Sequence, residues 1–203
     1  MDVHTLVFFS LAVVPLVLTP GPDILFIASQ AISGGIGAGL RSTAGICLGY
    51  LVHSIMVALG LAAVVAASPI LFELIRWIGI AYLVYLASKL IRSAFSASSV
   101  AVSGKSVKHQ LKKGFLTSLL NPKGMMVYVA ILPQFMDKQD SIALQAAVLS
   151  AVFIGWCALV YTAVCVFASA VGAKARLSDG RRRIVDGSAG GMILMAAGFM
   201  AAK

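Results

Sequence analysis

The stretch Leu18-Thr19-Pro20-Gly21-Pro22-Asp23 constrains this chain more than any other. It cuts an apolar run that begins near Leu6 and resumes through Ile24-Leu25-Phe26-Ile27-Ala28. Proline lacks a backbone N–H and its ring clashes with the preceding turn, so two prolines flanking a glycine end a helix. In a bilayer an unpaired N–H or C=O costs several kcal/mol, and a break is tolerated only where protein or a lined cavity repairs it. Asp23 stands beside this break, and an intramembrane carboxylate marks a site by default. A second break, Leu120-Asn121-Pro122-Lys123, follows in another apolar run. Aligned on their prolines, Pro22 falls on Pro122 and Asp23 on Lys123. Opposite charges occupy matching places.

These breaks matter because the chain is a membrane protein by composition. It is 60% hydrophobic and 11% charged, against about 25% charged residues in a soluble domain. At roughly 20 apolar residues per span, its 203 residues hold six helices and little else. The expected architecture is all-α: six transmembrane helices in one domain over residues 1–203. The beginning, Met1-Asp2-Val3-His4, has no basic segment and no small-residue cleavage site follows, so the first run is expected to be an uncleaved span. Cys47, Cys157 and Cys165 lie singly in apolar segments and read as small core residues rather than a disulfide or redox set. No cofactor or metal ligand set is expected.

Taken in order, span 1 runs from about Leu6 to Ile32 with its break at Pro20–Pro22. A glycine-rich turn, 33–41, leads to span 2 at about Ala44 to Ala66. There Gly45 and Gly49 form a small-residue face suited to close packing, inside the bundle or between protomers of a homodimer. Span 3 covers about Ile70 to Leu90, with Glu73 and Arg76 three apart as an interfacial pair. Residues 93–113 read as a flexible basic loop. Span 4, about Gly114 to Phe135, is broken at Asn121-Pro122, and Asp137 to Asp140 form a turn. Span 5 is Ile142 to Val171, a basic loop occupies 174–186, and span 6 is Gly187 to Ala202.

The net charge of +9 is distributed as membrane topology requires rather than as a nucleic-acid surface. The loops after spans 1, 3 and 5, with their flanking turns, hold twelve of the sixteen Lys and Arg residues. The positive-inside rule makes these loops cytoplasmic and puts both termini outside. Two halves of three spans, about 1–92 and 114–203, then have opposite orientations. Matching breaks in spans 1 and 4 read as an inverted repeat, and such broken helices are the best sequence pointer to a transport site.

Each break places a proline at the first residue of a new half-helix, where its missing N–H is harmless. Asn121 suits an N-cap, and Gly21 fills that place less strongly. The free N–H groups of a helix start carry partial positive charge and suit the carboxylate of a small substrate. Gly21, Pro22, Asp23, Asn121, Pro122 and Lys123 are therefore the candidate substrate-binding residues. Asp23 complements its own helix end. Lys123 does not, which calls for a nearby anion, either Asp23 or a substrate carboxylate. A purely structural Asp23–Lys123 pair between the halves is the competing reading. Asp23 and His53 are the candidate proton-coupling groups, with a hydrogen-bonded packing role the alternative for His53. Gln30, Gln134, Tyr50, Tyr82, Tyr85, Tyr128 and Tyr161 are available to line a polar cavity, or to act as packing and interface anchors.

These residues resemble the LysE/RhtB family of bacterial amino-acid exporters over essentially the whole chain. Thr19-Pro20-Gly21-Pro22-Asp23, Gly45 and Gly49 followed by His53, Asn121-Pro122-Lys123 and Leu132-Pro133-Gln134-Phe135 carry the resemblance. Gly124 departs from it, standing where the family more often has Ala. The resemblance implies export of amino acids or close derivatives across the inner membrane, the Pro-Gly-Pro-Asp form looking more like the threonine, homoserine and leucine branch, and proton antiport is the expected drive. It implies no enzyme activity. ATP hydrolysis in this chain is excluded, since no phosphate-binding GxxxxGK[ST] loop is present. A passive channel, or a packing subunit of a larger complex, is the alternative. An intramembrane redox or metal-handling protein would need paired cysteines or a His/acid cluster, which the sequence lacks.

Overall fold

A computed structural model describes residues 1–60, 68–95, 107–137 and 139–174, with 184, 187–188, 191–195, 197–198 and 201 beyond them. All regular structure among these residues is helical. The first break separates α1 (Val3–Leu18) from α2 (Pro22–Gly34). Asp2 caps α1 through its side chain, with Thr5 N donating to Oδ1 at 2.8 Å. The helix stops where Pro20 forbids its continuation, and α2 sets off at a 56° bend. Helix α3 (Ile36–Ala58) follows after Gly35, and α4 spans Pro69–Phe95.

The second break repeats the construction. Helix α5 (Val107–Leu119) stops before Asn121, and α6 (Pro122–Met126) restarts. A π turn over Val127–Ile131 and a 3-10 turn over Leu132–Phe135 carry it on. The bend at this break is 50°. Helix α7 (Ile142–Lys174) closes the described bundle. Among the described residues two helices alone, or four if each bent pair counts as one span, are long and apolar enough to cross a membrane. Phe167 is 74% exposed and Leu11 65% exposed. Apolar groups of this size turned outward fit a lipid surround, and the chain is a multi-pass membrane protein.

The interior is organised by α3. Ile46, Tyr50, His53 and Val57 are buried at helical spacing on one of its faces. Its small residues let α5 approach to backbone contact: a Cβ on Gly45 would strike Leu111 O, and one on Gly49 would strike Ser118 Oγ. The Gly45/Gly49 face is thus spent within the chain. Ser118 Oγ donates to Ile46 O at 2.9 Å across the same contact. Helix α7 packs along α2 and α3, bringing Tyr161 and Phe153 inward.

Three boundaries differ from expectation. The glycine-rich stretch 33–41 is mostly helix: only Gly35 takes a left-handed φ of 76°, and Gly37 and Gly39 lie inside α3. The described helix of span 2 accordingly runs from Ile36 to Ala58, followed by Gly60 with φ 74°, and the rest of the expected span, 61–66, lies outside the described residues. The basic stretch 93–113 is not wholly loop, since 93–95 extend α4 and 107–113 begin α5. Lysine is a good helix former, so a polar lysine-rich sequence carried the helix beyond its apolar part. Residues 96–106 and most of the 174–186 loop lie outside the described residues, as do parts of 187–202. Ile193 and Ala197 are buried. The six-helix inverted repeat rests on the two matching bends alone.

Candidate functional site

Pro22 opens α2, so Asp23 sits in its first turn, and Gly21 precedes them in extended backbone. No side chain caps this helix start. Asp23 is 3% exposed. A carboxylate so deeply buried needs partners, and two tyrosines supply them. Tyr50 of α3 donates a hydrogen bond to Asp23 Oδ2, and Tyr161 of α7 donates to the same oxygen at 3.4 Å. The other oxygen, Oδ1, is buried with no hydrogen-bond partner.

Across from it, Asn121 caps α6 by accepting from Lys123 N at 3.1 Å. Its side chain comes close enough to act on Asp23. Its amide nitrogen Nδ2 is buried without a partner. The buried acceptor of one break and the buried donor of the other therefore lie close enough to interact, without a well-formed hydrogen bond between them. Buried polar groups are nearly always satisfied, and these two are complementary to each other and to a small polar ligand.

Lys123 turns away from its own helix start. Its Nζ donates to Thr19 O at 2.6 Å, at the carboxyl end of α1, and its chain lies over Gly21, from which a Cβ would reach Cδ at 3.5 Å. A cation at a helix carboxyl end is favourable, worth about 0.3–1 kcal/mol at exposed sites. The end of α1 takes the hydrogen bond of Lys123, while Asp23, one of the two anions expected for it, lies close enough to act on it electrostatically. No direct ion pair joins Lys123 to Asp23 among the described residues; Asp23 has its tyrosines and Lys123 its carbonyl.

His53 lies one turn beyond Tyr50 on α3. Its Nε2 is 3.4 Å from Ser118 O, and its ring stacks on Tyr128 with centroids 5.5 Å apart. Tyr50, its neighbour with centroids 6.5 Å apart, is itself hydrogen-bonded to Asp23. Tyr128 Oη and Ser150 Oγ, both buried, interact with each other beside this stack. Of the other candidate liners, Tyr82 donates to Lys113 O at 3.1 Å, Gln134 to Ala130 O at 2.7 Å, and Tyr85 is exposed. Sequence reasoning left Tyr50 and Tyr161 among seven undifferentiated liners and overlooked Ser150. A residue one position past Gly49, on the face that also carries His53, was the available signal for Tyr50.

Comparison with known proteins agrees with this construction. The model of the LysE type translocator family matches residues 14–203. The uncharacterized membrane protein YrhP of Bacillus subtilis is 31% identical over 159 residues, 73% of this chain and 76% of that protein. An uncharacterized membrane protein of Vibrio cholerae is 35% identical over 138 residues, 68% of this chain and 67% of that one. A leucine efflux protein of Enterobacter is 32% identical over 124 residues, 60% of this chain and 59% of that protein. No solved structure matches. With a family match that takes in both breaks and everything after them, this chain belongs to the LysE type translocator family.

Proposed function

We propose that this chain is a secondary exporter of small amino acids, of leucine, threonine or homoserine type, working across the bacterial inner membrane by proton antiport. The observation that carries the reading is the pair of buried, complementary atoms where the breaks meet, Asp23 Oδ1 and Asn121 Nδ2, which make no well-formed hydrogen bond and leave a zwitterion room to come between them. A zwitterion satisfies both at once. Its ammonium donates to Oδ1, and its carboxylate accepts from Nδ2 and from the uncapped N–H groups that begin α2. Gly21 and Pro22 keep that helix start open. Pro122 sets the start of α6, and Lys123 holds α1 against it. Kinship with leucine efflux proteins supports the direction of transport and the class of cargo.

The carboxylate oxygen without a well-formed hydrogen bond supports antiport. Asp23 Oδ1 accepts either the ammonium or a proton, so a proton entering from outside displaces the cargo and returns the site to the cytoplasm protonated. Tyr50 and the stacked His53 continue this polar interior, and His53 is assigned to proton coupling. Both termini lie outside. Cysteines placed at the exposed Lys112 and Asp140, in a background free of Cys47, Cys157 and Cys165, test this: an impermeant thiol reagent should label position 140 in intact cells and spare position 112. The reverse pattern inverts the orientation.

The function itself is tested by counterflow of labelled leucine, threonine and homoserine in proteoliposomes. An exporter with one site exchanges labelled for unlabelled substrate faster than it permits net flux. Downhill leak without exchange identifies a pore instead.

A further inference from the structure

Gly124 is the third residue of α6, and it faces the ring that serves Asp23. A Cβ added there would overlap Tyr50 at Cε1 and approach Cζ and Oη at 3.2 Å. Such contacts are relieved only by movement, and the ring has little room. Phe153 stands edge-on to it with centroids 5.0 Å apart, Tyr128 stacks at 6.3 Å, and His53 lies at 6.5 Å. The residue as a whole is 2% exposed. Its hydroxyl is engaged at Asp23 Oδ2, so any retreat of the ring withdraws that donor from the carboxylate.

We infer that Gly124 is a positioning residue: the missing side chain at 124 seats Tyr50 so that its hydroxyl takes Asp23 Oδ2 and leaves Oδ1 facing the cargo. The inference rests on the exporter reading above. It makes the second repeat answerable for the aim of a side chain in the first. Gly124 touches neither the carboxylate nor the cargo; it acts through Tyr50.

The test is a double-mutant cycle of Gly124→Ala and Tyr50→Phe, with Asp23→Asn alongside, read as the half-saturating concentration and maximal rate of labelled leucine exchange. Each single variant should raise the half-saturating concentration about tenfold, the scale of a lost hydrogen bond to a charged group. The double variant should also stay at about tenfold, since both changes remove the same bond. Gly155→Ala on α7, where a Cβ meets nothing within 4 Å, should match the parent. Where Gly124→Ala fails to reach the membrane, the background Tyr50→Leu decides, because with the ring gone the added methyl should alter neither level nor kinetics. Multiplying effects in the double variant, parental kinetics in Gly124→Ala, or a defect that persists beside Tyr50→Leu each overturn the inference. Parental exchange in Asp23→Asn overturns the site reading itself, a separate outcome.

Discussion

The two breaks solve one backbone problem with unlike chemistry. At the first, Gly21 leaves the start of α2 without a side-chain cap, and an acid occupies the first turn. At the second, Asn121 caps α6 and the base leaves its own helix to neutralise the end of α1. Each break thus contributes one buried polar atom without a well-formed hydrogen bond, Oδ1 of Asp23 at the first and Nδ2 of Asn121 at the second, and in the proposed site Asp23 takes the cargo's ammonium. The second break also supplies clamping through Lys123. Matching positions at two breaks need not share a role, even when their charges look like the halves of a pair.

The sharpest way to break this comparison is to neutralise each charge. Asp23→Asn should reduce efflux at least about a hundredfold, the scale of truncating a buried charge that pairs with a ligand charge, while the protein still reaches the membrane. Lys123→Met should act mainly on membrane level, through loss of a helix-end contact of about 0.3–1 kcal/mol. The double variant should remain inactive, because the two groups are not direct partners. Recovery of efflux in the double variant makes them a structural pair after all, and the site is then wrong.

The prolines distinguish the breaks less steeply. Pro122→Ala removes the only proline of the second break, whereas Pro22→Ala leaves Pro20 in place. Both should lower efflux about tenfold or more, on the scale of proline's roughly 3 kcal/mol effect on a helix, with Pro122→Ala the worse of the two. Equal and normal transport in both removes the basis for a broken-helix site. The smallest effect is expected at Asn121. Asn121→Ser keeps an oxygen for the cap but loses Nδ2, so membrane level should hold while the half-saturating concentration rises up to about tenfold. Asn121→Ala should lower the level as well, by the equivalent of about 1 kcal/mol of cap stability. If serine and alanine behave alike, Nδ2 does not meet the cargo.

How much of this was legible in the residues divides along physical lines. The breaks were, because a proline's missing N–H acts within its own turn, and Pro22 and Pro122 open helices as expected. Helix limits were less so. Gly37 and Gly39 look like turn residues beside Gly35, yet only Gly35 adopts a conformation that needs glycine. Gly39 serves packing, its absent Cβ leaving room for Cys165 Sγ, which would otherwise stand 2.7 Å away. The surroundings of Asp23 were not legible, since Tyr50 and Tyr161 arrive from 27 and 138 residues along the chain. Nor was the destination of Lys123, which is fixed by where α1 ends relative to α6. Gly124 was visible only as a small departure from a family pattern; its meaning depends on a ring from another helix.

In the proposed site an amino-acid zwitterion joins Asp23 Oδ1 to Asn121 Nδ2, taking up hydrogen-bonding capacity that the two do not fully use on each other. Equilibrium binding of labelled leucine, threonine and homoserine to the purified protein measures this without any transport step. The parent should bind at least one of the three saturably, Asp23→Asn should lose that binding, and Asn121→Ser should weaken it up to about tenfold. Undiminished binding in Asp23→Asn would contradict the claim and place the cargo elsewhere.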